Sequence, residues 1–389
     1  MSLSTYNPGG PGSESRPLSL RDKFSQMNWG VVLLVTIIAC CGFAVLYSAA
    51  GGSFAPWAER QMIRFAAGLV IMIAVACFDI RVWMGLAYPA YAVSLLLLIA
   101  VEIAGTVGMG AQRWIELGPV QVQPSELMKI ALVLALARYL HGLGPGEVSH
   151  PLKLAIPVVL IMAPVGLVLT EPNLGTAALL AMCGAMLLFL AGLSWRWIAS
   201  ALGAIVLAIP AAWQFLLHDY QKQRVLTFLD PGADALGAGW NITQAKIALG
   251  SGGVSGKGFL MGTQSRLNFL PEKETDFVLP IIGEEFGFLG SIALLALFGM
   301  LIIYGIQIAM AARSQFGRLL AMGIIINFFL YIMINGMMVM GLIPVVGIPM
   351  PLVSYGGTAM LSVMFGFGLL VSVYIHRQVE VPRHASGLF

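Results

Sequence analysis

Runs of about twenty apolar residues recur along nearly the whole chain, and they limit the fold more than any motif does. Lipid offers no partner for backbone N–H and C=O groups, so a stretch of that kind crosses a membrane as a helix, which satisfies those groups within itself. The every-second-residue alternation of a membrane barrel is absent. With 59% hydrophobic residues and only 10% charged, no soluble domain of 389 residues could bury so much apolar surface. The chain therefore reads as an all-α integral membrane protein.

Ten transmembrane helices are predicted. The first four cover about Trp29–Ala49, Gln61–Phe78, Val82–Ala104, and the stretch from Pro124 to near Tyr139. Three more follow at about Leu154–Thr170, Leu174–Leu193 and Trp197–Leu217. A polar loop over 217–275 precedes the last three, at about Phe277–Ile308, Gly317–Pro344 and Gly357–Ile375. Residues 1–28 are Ser-, Gly- and Pro-rich and read as a disordered tail, with no credible cleavage site after them. Residues 377–389 read as a second tail. The membrane domain between them is 29–376.

Basic residues in short loops set the orientation. A cytoplasmic N-terminus puts Arg81, Lys153, Arg196, Arg313, Arg318, Arg377 and Arg383 inside. Both termini are then cytoplasmic, and the long loop between helices 7 and 8 faces outward. A net charge of +3 without a basic tract gives no reason to expect nucleic acid as a partner. All four cysteines lie in apolar runs and the five histidines are scattered, so neither a disulfide framework nor a metal cluster is indicated.

Leu267–Gly290 reads LNFLPEKETDFVLPIIGEEFGFLG and packs five carboxylates, Glu272, Glu274, Asp276, Glu284 and Glu285, against the start of an apolar run. An acid where water meets hydrocarbon is costly and marks a functional site by default, which singles out Asp276. Helix capping by Thr275 or Asp276 would be the plain alternative. A helix dipole would favour the ionised form of Asp276, whereas Glu272 and Glu274 would oppose it.

Other unusual polar residues fall mostly on the same side. Arg113 and Trp114 lie in GAQRWIELG, and Glu126 and Lys129 sit three apart on one helix face, as a packing salt bridge or as substrate contacts. Glu171 occupies the tight turn between spans five and six. The long loop adds Arg224 and Lys246, and its glycines read as turns more than as a phosphate cradle. GLIPVVGIPMPLVSYGG, which contains Ser354, sets irregular backbone at a depth where only protein or a watery cavity tolerates it. Gly283, Gly287 and Gly290 are spaced for close helix contact. Cations beside a boundary carboxylate suit a reaction in which a base takes a hydroxyl proton and a phosphate leaves.

GAQRWIELG with QPSELMK, EPNLGT, QRVLTFLDP, LGAGW, GSGG with GKG, FLPEKETDF and LIPVVGIPMPLVSYGG together resemble the shape, elongation, division and sporulation (SEDS) family. The likeness covers about Asn28 to Arg377 and is strongest to its elongation branch. It implies a peptidoglycan glycosyltransferase that polymerises lipid II on the outer face of the bacterial cytoplasmic membrane. The implied partners are a single-span class B penicillin-binding protein, lipid II, the undecaprenyl-linked glycan and membrane lipids.

The family's catalytic aspartate falls on Asp276, and its acidic and basic pair on Glu126 and Lys129. Arg113, Lys129, Arg224 and Lys246 are the cations available to a leaving diphosphate, with Glu171 and Ser354 as further substrate contacts. Mg²⁺ or another divalent cation, held by diphosphate and one carboxylate, is chemically ordinary here. No organic cofactor is implied. The chain departs from the family at Asn173, where Asp is usual, and at Glu274, where His is frequent. A division-type polymerase, a lipid II flippase or transporter, and a scaffold are the competing readings. A transporter should show two repeated halves with charges near the midplane, and the sequence shows no such repeat.

Overall fold

The computed structural model describes residues 19–381 apart from 109–110, 118–119, 145, 172, 217–218, 231–237, 268 and 271. The tail before residue 19, Pro231-Gly232 of the loop turn, and the tail with Arg383 lie outside the described residues.

A short helix, α1 (Leu20–Ser25), is followed by α2 (Trp29–Ala49), α3 (Ala58–Cys77) and α4 (Ile80–Ala104). Three strands, β1 (Thr106–Gly108), β2 (Ala111–Leu117) and β3 (Val120–Val122), come next, and then α5 (Pro124–His141), α6 (Pro151–Thr170), α7 (Leu174–Leu190) and α8 (Trp195–Ala211). The long loop holds α9 (Asp219–Leu229), α10 (Ala238–Ser251) and α11 (Thr263–Arg266). The chain ends with α12 (Val278–Ala311), α13 (Gln315–Val339) and α14 (Gly357–Ile375).

Among the described residues, α2, α3, α4, α6, α12, α13 and α14 are long and apolar enough to cross a membrane. Helices α7 and α8 are apolar but shorter. Helix α5 carries Glu126, Lys129 and Arg138, which lowers its hydropathy, yet Glu126 and Lys129 are buried. Helices α13 and α14 form the centre, with most of their residues enclosed by protein, whereas α8 has no buried residue.

Three features differ from the sequence expectation. The chain is not purely helical, because the segment between α4 and α5 folds as an antiparallel meander in the order β1-β2-β3. The tail does not run unstructured to residue 28: Ser19 and Asp22 form a capping box on α1, and Lys23 Nζ donates to the Cys77 carbonyl (2.8 Å). At the other end Val381 is buried, so the chain packs back onto the bundle past residue 377.

The glycines before α11 dock a strap onto α12. N–H groups of Lys257 and Gly258 donate to the carbonyls of Glu284 and Glu285 (both 3.0 Å), so they are not free to cradle a phosphate. Glu284 accepts from Lys257 Nζ (2.6 Å), Thr263 N and Thr263 Oγ1 (both 2.8 Å), while Glu285 accepts from the Ser48 hydroxyl on α2. Gly287 breaks α12 with φ 66°, and a Cβ there would lie 2.3 Å from Gly256 N. Only glycine meets both demands. The close contact expected of Gly283 and Gly287 is thus made within the fold, against α10 and its following turn.

Candidate active site

Asp276 stands two residues before α12. The N-cap is Phe277, and no side chain caps this helix, so capping does not account for the carboxylate. The Glu272–Phe277 turn is knotted on one carbonyl: that of Glu272 accepts from Thr275 N (3.1 Å) and Phe277 N (3.4 Å). Glu272 itself has φ 50°, an uncommon value for a residue with a side chain.

Three outside ties hold this turn. Tyr355 N donates to the Glu274 carbonyl (2.8 Å), and Lys273 Nζ to the Ser265 carbonyl (2.8 Å). The third comes from α13, where Asn335 Nδ2 donates to the carbonyl of Asp276 (2.9 Å) and to that of Ile348 (2.7 Å). The Asp276 carboxylate is 8% exposed, so it does not face lipid or open water. Gly347, with φ 71°, lies opposite it, and a Cβ there would sit 3.4 Å from Oδ2. Glycine at this bend keeps the space above the carboxylate clear.

Asp276 is pushed up to about 7, by burial first and then by Glu272 and Glu274, with Arg224 and Arg113 pulling the other way. The dipole that sequence set against the two glutamates therefore loses to desolvation. Burial raises Glu272 as well, with Glu274 adding to it and Arg224 opposing. A carboxyl that titrates near neutrality is suited to take a proton at physiological pH.

Arg113 on β2 and Arg224 on α9 are the two predicted cations whose charge reaches Asp276. Arg224 Nη1 donates to the Val345 carbonyl (3.1 Å), in the same bend as Gly347. Arg113 Nε donates to the Glu171 carbonyl (3.3 Å), which ties β2 to the end of α6. Lys246 on α10 packs instead against Gly341, at the stem of that bend, where a Cβ would lie 2.6 Å from its Nζ. Glu171 is buried and its carboxyl rises to about 8, from burial first and the nearby Glu102 second, with Arg113 opposing. It carries little charge at neutral pH.

Glu126 and Lys129 pair at 2.6 Å inside the protein, and both are buried. Glu126 Oε2 also accepts from Tyr331 Oη (2.7 Å) on α13 and Ser362 Oγ (3.0 Å) on α14. Lys129 contacts the Tyr331 hydroxyl and lies over its ring, 4.3 Å from the centroid. The network joins α5, α13 and α14, so the geometry here is that of a packing salt bridge. Ser354 Oγ accepts from Met350 N (2.9 Å), and its carbonyl accepts from Gln61 Nε2 (2.9 Å), which closes the turn before α14. Asn173 caps α7 by accepting from Thr176 N (3.3 Å), a task that needs no charge.

Asn335 is the residue at the candidate site that sequence reading passed over. A carboxamide inside an apolar helix is itself a signal, because hydrocarbon offers it no partner.

The matching family model, described as cell cycle protein, FtsW/RodA/SpoVE, spans residues 26–379. This chain belongs to the FtsW/RodA/SpoVE family. The peptidoglycan glycosyltransferase MrdB of Escherichia coli K12 is 45% identical over 350 residues, covering 90% of this chain and 94% of that protein. The probable peptidoglycan glycosyltransferase FtsW of Trichlorobacter lovleyi is 36% identical over 373 residues, 91% of this chain and 95% of that protein.

Solved structures agree. The rod shape determining protein RodA of Thermus thermophilus superposes with a TM-score of 0.69 at 30% identity, over 90% of this chain and 97% of that one. A chain from work on structural coordination of polymerization and crosslinking by a peptidoglycan synthase complex reaches 0.79 at 34% identity, over 90% and 98%. The FtsW/RodA/SpoVE assignment thus holds across the bundle and the loops that build the site.

Proposed function

We propose that this protein is the peptidoglycan glycosyltransferase of cell-wall elongation, joining lipid II units into β-1,4-linked glycan with Asp276 as general base. The observation that carries it is a buried carboxyl near neutral pKa, with two arginines close enough to act on its charge and a glycine bend opposite it. Asp276 takes the proton from the 4-hydroxyl of the acceptor sugar as that oxygen attacks the anomeric carbon of the donor strand. The α-linked bond to oxygen breaks as the β bond forms, so the centre inverts. Undecaprenyl pyrophosphate leaves with the bonding pair, and Arg113 and Arg224 offset its charge. Lys246 steadies the bend from beneath, while Glu126, Lys129 and Ser354 hold the walls.

Among the described residues no three His, Cys, Asp or Glu side chains converge as a metal site. A divalent cation would have to arrive with the diphosphate and take a carboxylate from the Glu272–Asp276 turn. At 45% identity to MrdB against 36% to a division-type relative, the elongation role is favoured. The partner we assign is a class B penicillin-binding protein, in keeping with the synthase complex among the structural neighbours.

The topology we infer is ten spans with both termini cytoplasmic. Lys23, Arg313, Arg318 and Arg377 gather at one end of the bundle, tied by Lys23 to Cys77 and by Arg313 N to the Arg377 carbonyl (2.9 Å). Asp276 lies before α12, at the other end, which supports a site on the outer face of the inner membrane. Polymerisation of purified lipid II by the protein with its transpeptidase partner, with moenomycin silencing unrelated polymerases, tests this reading. Glycan of many units is expected, and lipid II translocation without polymer would overturn it.

A further inference from the structure

A cavity of about 460 Å³ opens at the end of the bundle far from Asp276. Arg313 and Arg318 line it beside the start of α13, with His141 from α5, Leu190 and Ala191 from α7, and Glu380 from the chain's end. Helix α13 joins the two ends of the molecule. Asn335, which holds Asp276, is seventeen residues beyond Arg318, about 26 Å along a helix axis. That separation is close to the hydrocarbon thickness of a bilayer. The cavity therefore belongs to the opposite membrane face.

Both arginines are exposed, and among the described residues neither pairs with a carboxylate within 4 Å. Arg318 Nη2 reaches only the Ala312 carbonyl, at 3.4 Å. Two guanidinium groups thus face one lining carboxylate, Glu380, and the balance attracts an anion. On the α7 side Leu190 and Ala191 give the cavity an apolar lip. Leu190 is 44% exposed, and Phe189 and Trp195 beside it are exposed as well, the residue types found where headgroups meet acyl chains.

We propose that this cavity binds the phosphate headgroup of an anionic phospholipid in the leaflet opposite the Asp276 site. Arg313 and Arg318 hold the phosphate oxygens, and Leu190 and Ala191 lie along the first part of the acyl chains. A free phosphate ion would use the guanidinium groups and gain nothing from the lip. The site is independent of the glycosyltransfer reading, since it needs only a membrane-spanning α13.

Native mass spectrometry of the full chain, back-titrated with phosphatidylglycerol or phosphatidylcholine, tests the proposal. Wild type should retain phosphatidylglycerol in preference to phosphatidylcholine, and inorganic phosphate should not displace it. The double variant Arg313→Gln/Arg318→Gln should bind phosphatidylglycerol about tenfold more weakly, while Arg81→Gln, elsewhere on that face, should not. Leu190→Asp keeps both arginines and should also weaken retention, which preserves the test should the double variant fail to fold. Equal retention by wild type and the two cavity variants would overturn the proposal. So would displacement by inorganic phosphate with Leu190→Asp unaffected, which would mark a free-anion site.

Discussion

Asn335 donates from one buried amide to the carbonyl of Asp276 (2.9 Å) and to that of Ile348 (2.7 Å), so a single residue of α13 sets the gap between base and bend. Replacing it by Leu removes both donors and leaves two carbonyls unpaired, at about 1–3 kcal/mol each. Asn335→Leu should keep the fold and lower kcat about tenfold or more, with the acidic limb of the rate profile displaced because the burial of Asp276 changes. Asn335→Asp presents acceptors to acceptors and should do worse at high pH than at low. A fall in stability with an unchanged kcat and pH profile would reduce Asn335 to a packing role.

The pH profile follows from the charges around Asp276. The base must be ionised, so rate should rise with pH and level off above about 7. Glu272→Gln removes a neighbour that raises the pKa and should move the acidic limb to lower pH. Arg224→Gln removes a neighbour that lowers it and should move the limb to higher pH, besides weakening diphosphate stabilisation. Initial rates of lipid II polymerisation from pH 5 to 9 check both signs.

Stability should carry the mark of the same carboxyl. The folded-state value of about 7 lies above the ordinary aspartate value of 3.8, so the folded protein holds the proton more tightly. That contribution is full below the unfolded value and is lost as pH rises through about 7, on the order of 4 kcal/mol in all. Asp276→Asn should therefore melt higher than wild type at pH 8, with a gap that narrows by pH 5. Melting curves in detergent at the two pH values read it directly.

The bundle was largely legible from sequence, because apolar length alone betrays a helix in lipid. Trp29–Ala49 and Gly357–Ile375 match the predicted bounds residue for residue. The ninth helix stops at Val339, short of the predicted Pro344, since Met340–Ile343 is apolar whether or not it is helical. In the meander that carries Arg113, β1 and β3 are three residues each and AQRWIEL of β2 does not alternate cleanly, so periodicity does not announce it. The site was legible as one aspartate among carboxylates. The bridge from Asn335 and the strap on Glu284 were not, because each depends on residues dozens of positions apart meeting in space.

Glu171 offers a sharper test of its charge. With its carboxyl raised to about 8, Gln should replace it with little loss of activity, since an amide resembles the protonated acid. Glu171→Lys would bring a second cation beside Arg113 and should lower activity by more than tenfold, in line with the cost of an unpaired buried charge, about 3–5 kcal/mol. Polymerisation rates of the two variants distinguish them.

Gly287 should tolerate no side chain. A Cβ there meets Gly256 N at 2.3 Å, and φ 66° is strained for alanine. Gly287→Ala should free the strap 252–266 and destabilise the protein by about 2 kcal/mol or more. Hydrogen exchange at Lys257 and Gly258, whose N–H groups bond to α12, should speed up first.

The central claim is that Asp276 removes the proton from the attacking sugar alcohol. Its most direct test is single-turnover polymerisation of purified lipid II by wild type and Asp276→Asn, with lipid II binding measured on the same samples. The account predicts a folded variant that binds lipid II as before and polymerises it about 10²–10⁴ times more slowly. Polymer formed at near wild-type rate by Asp276→Asn would contradict it.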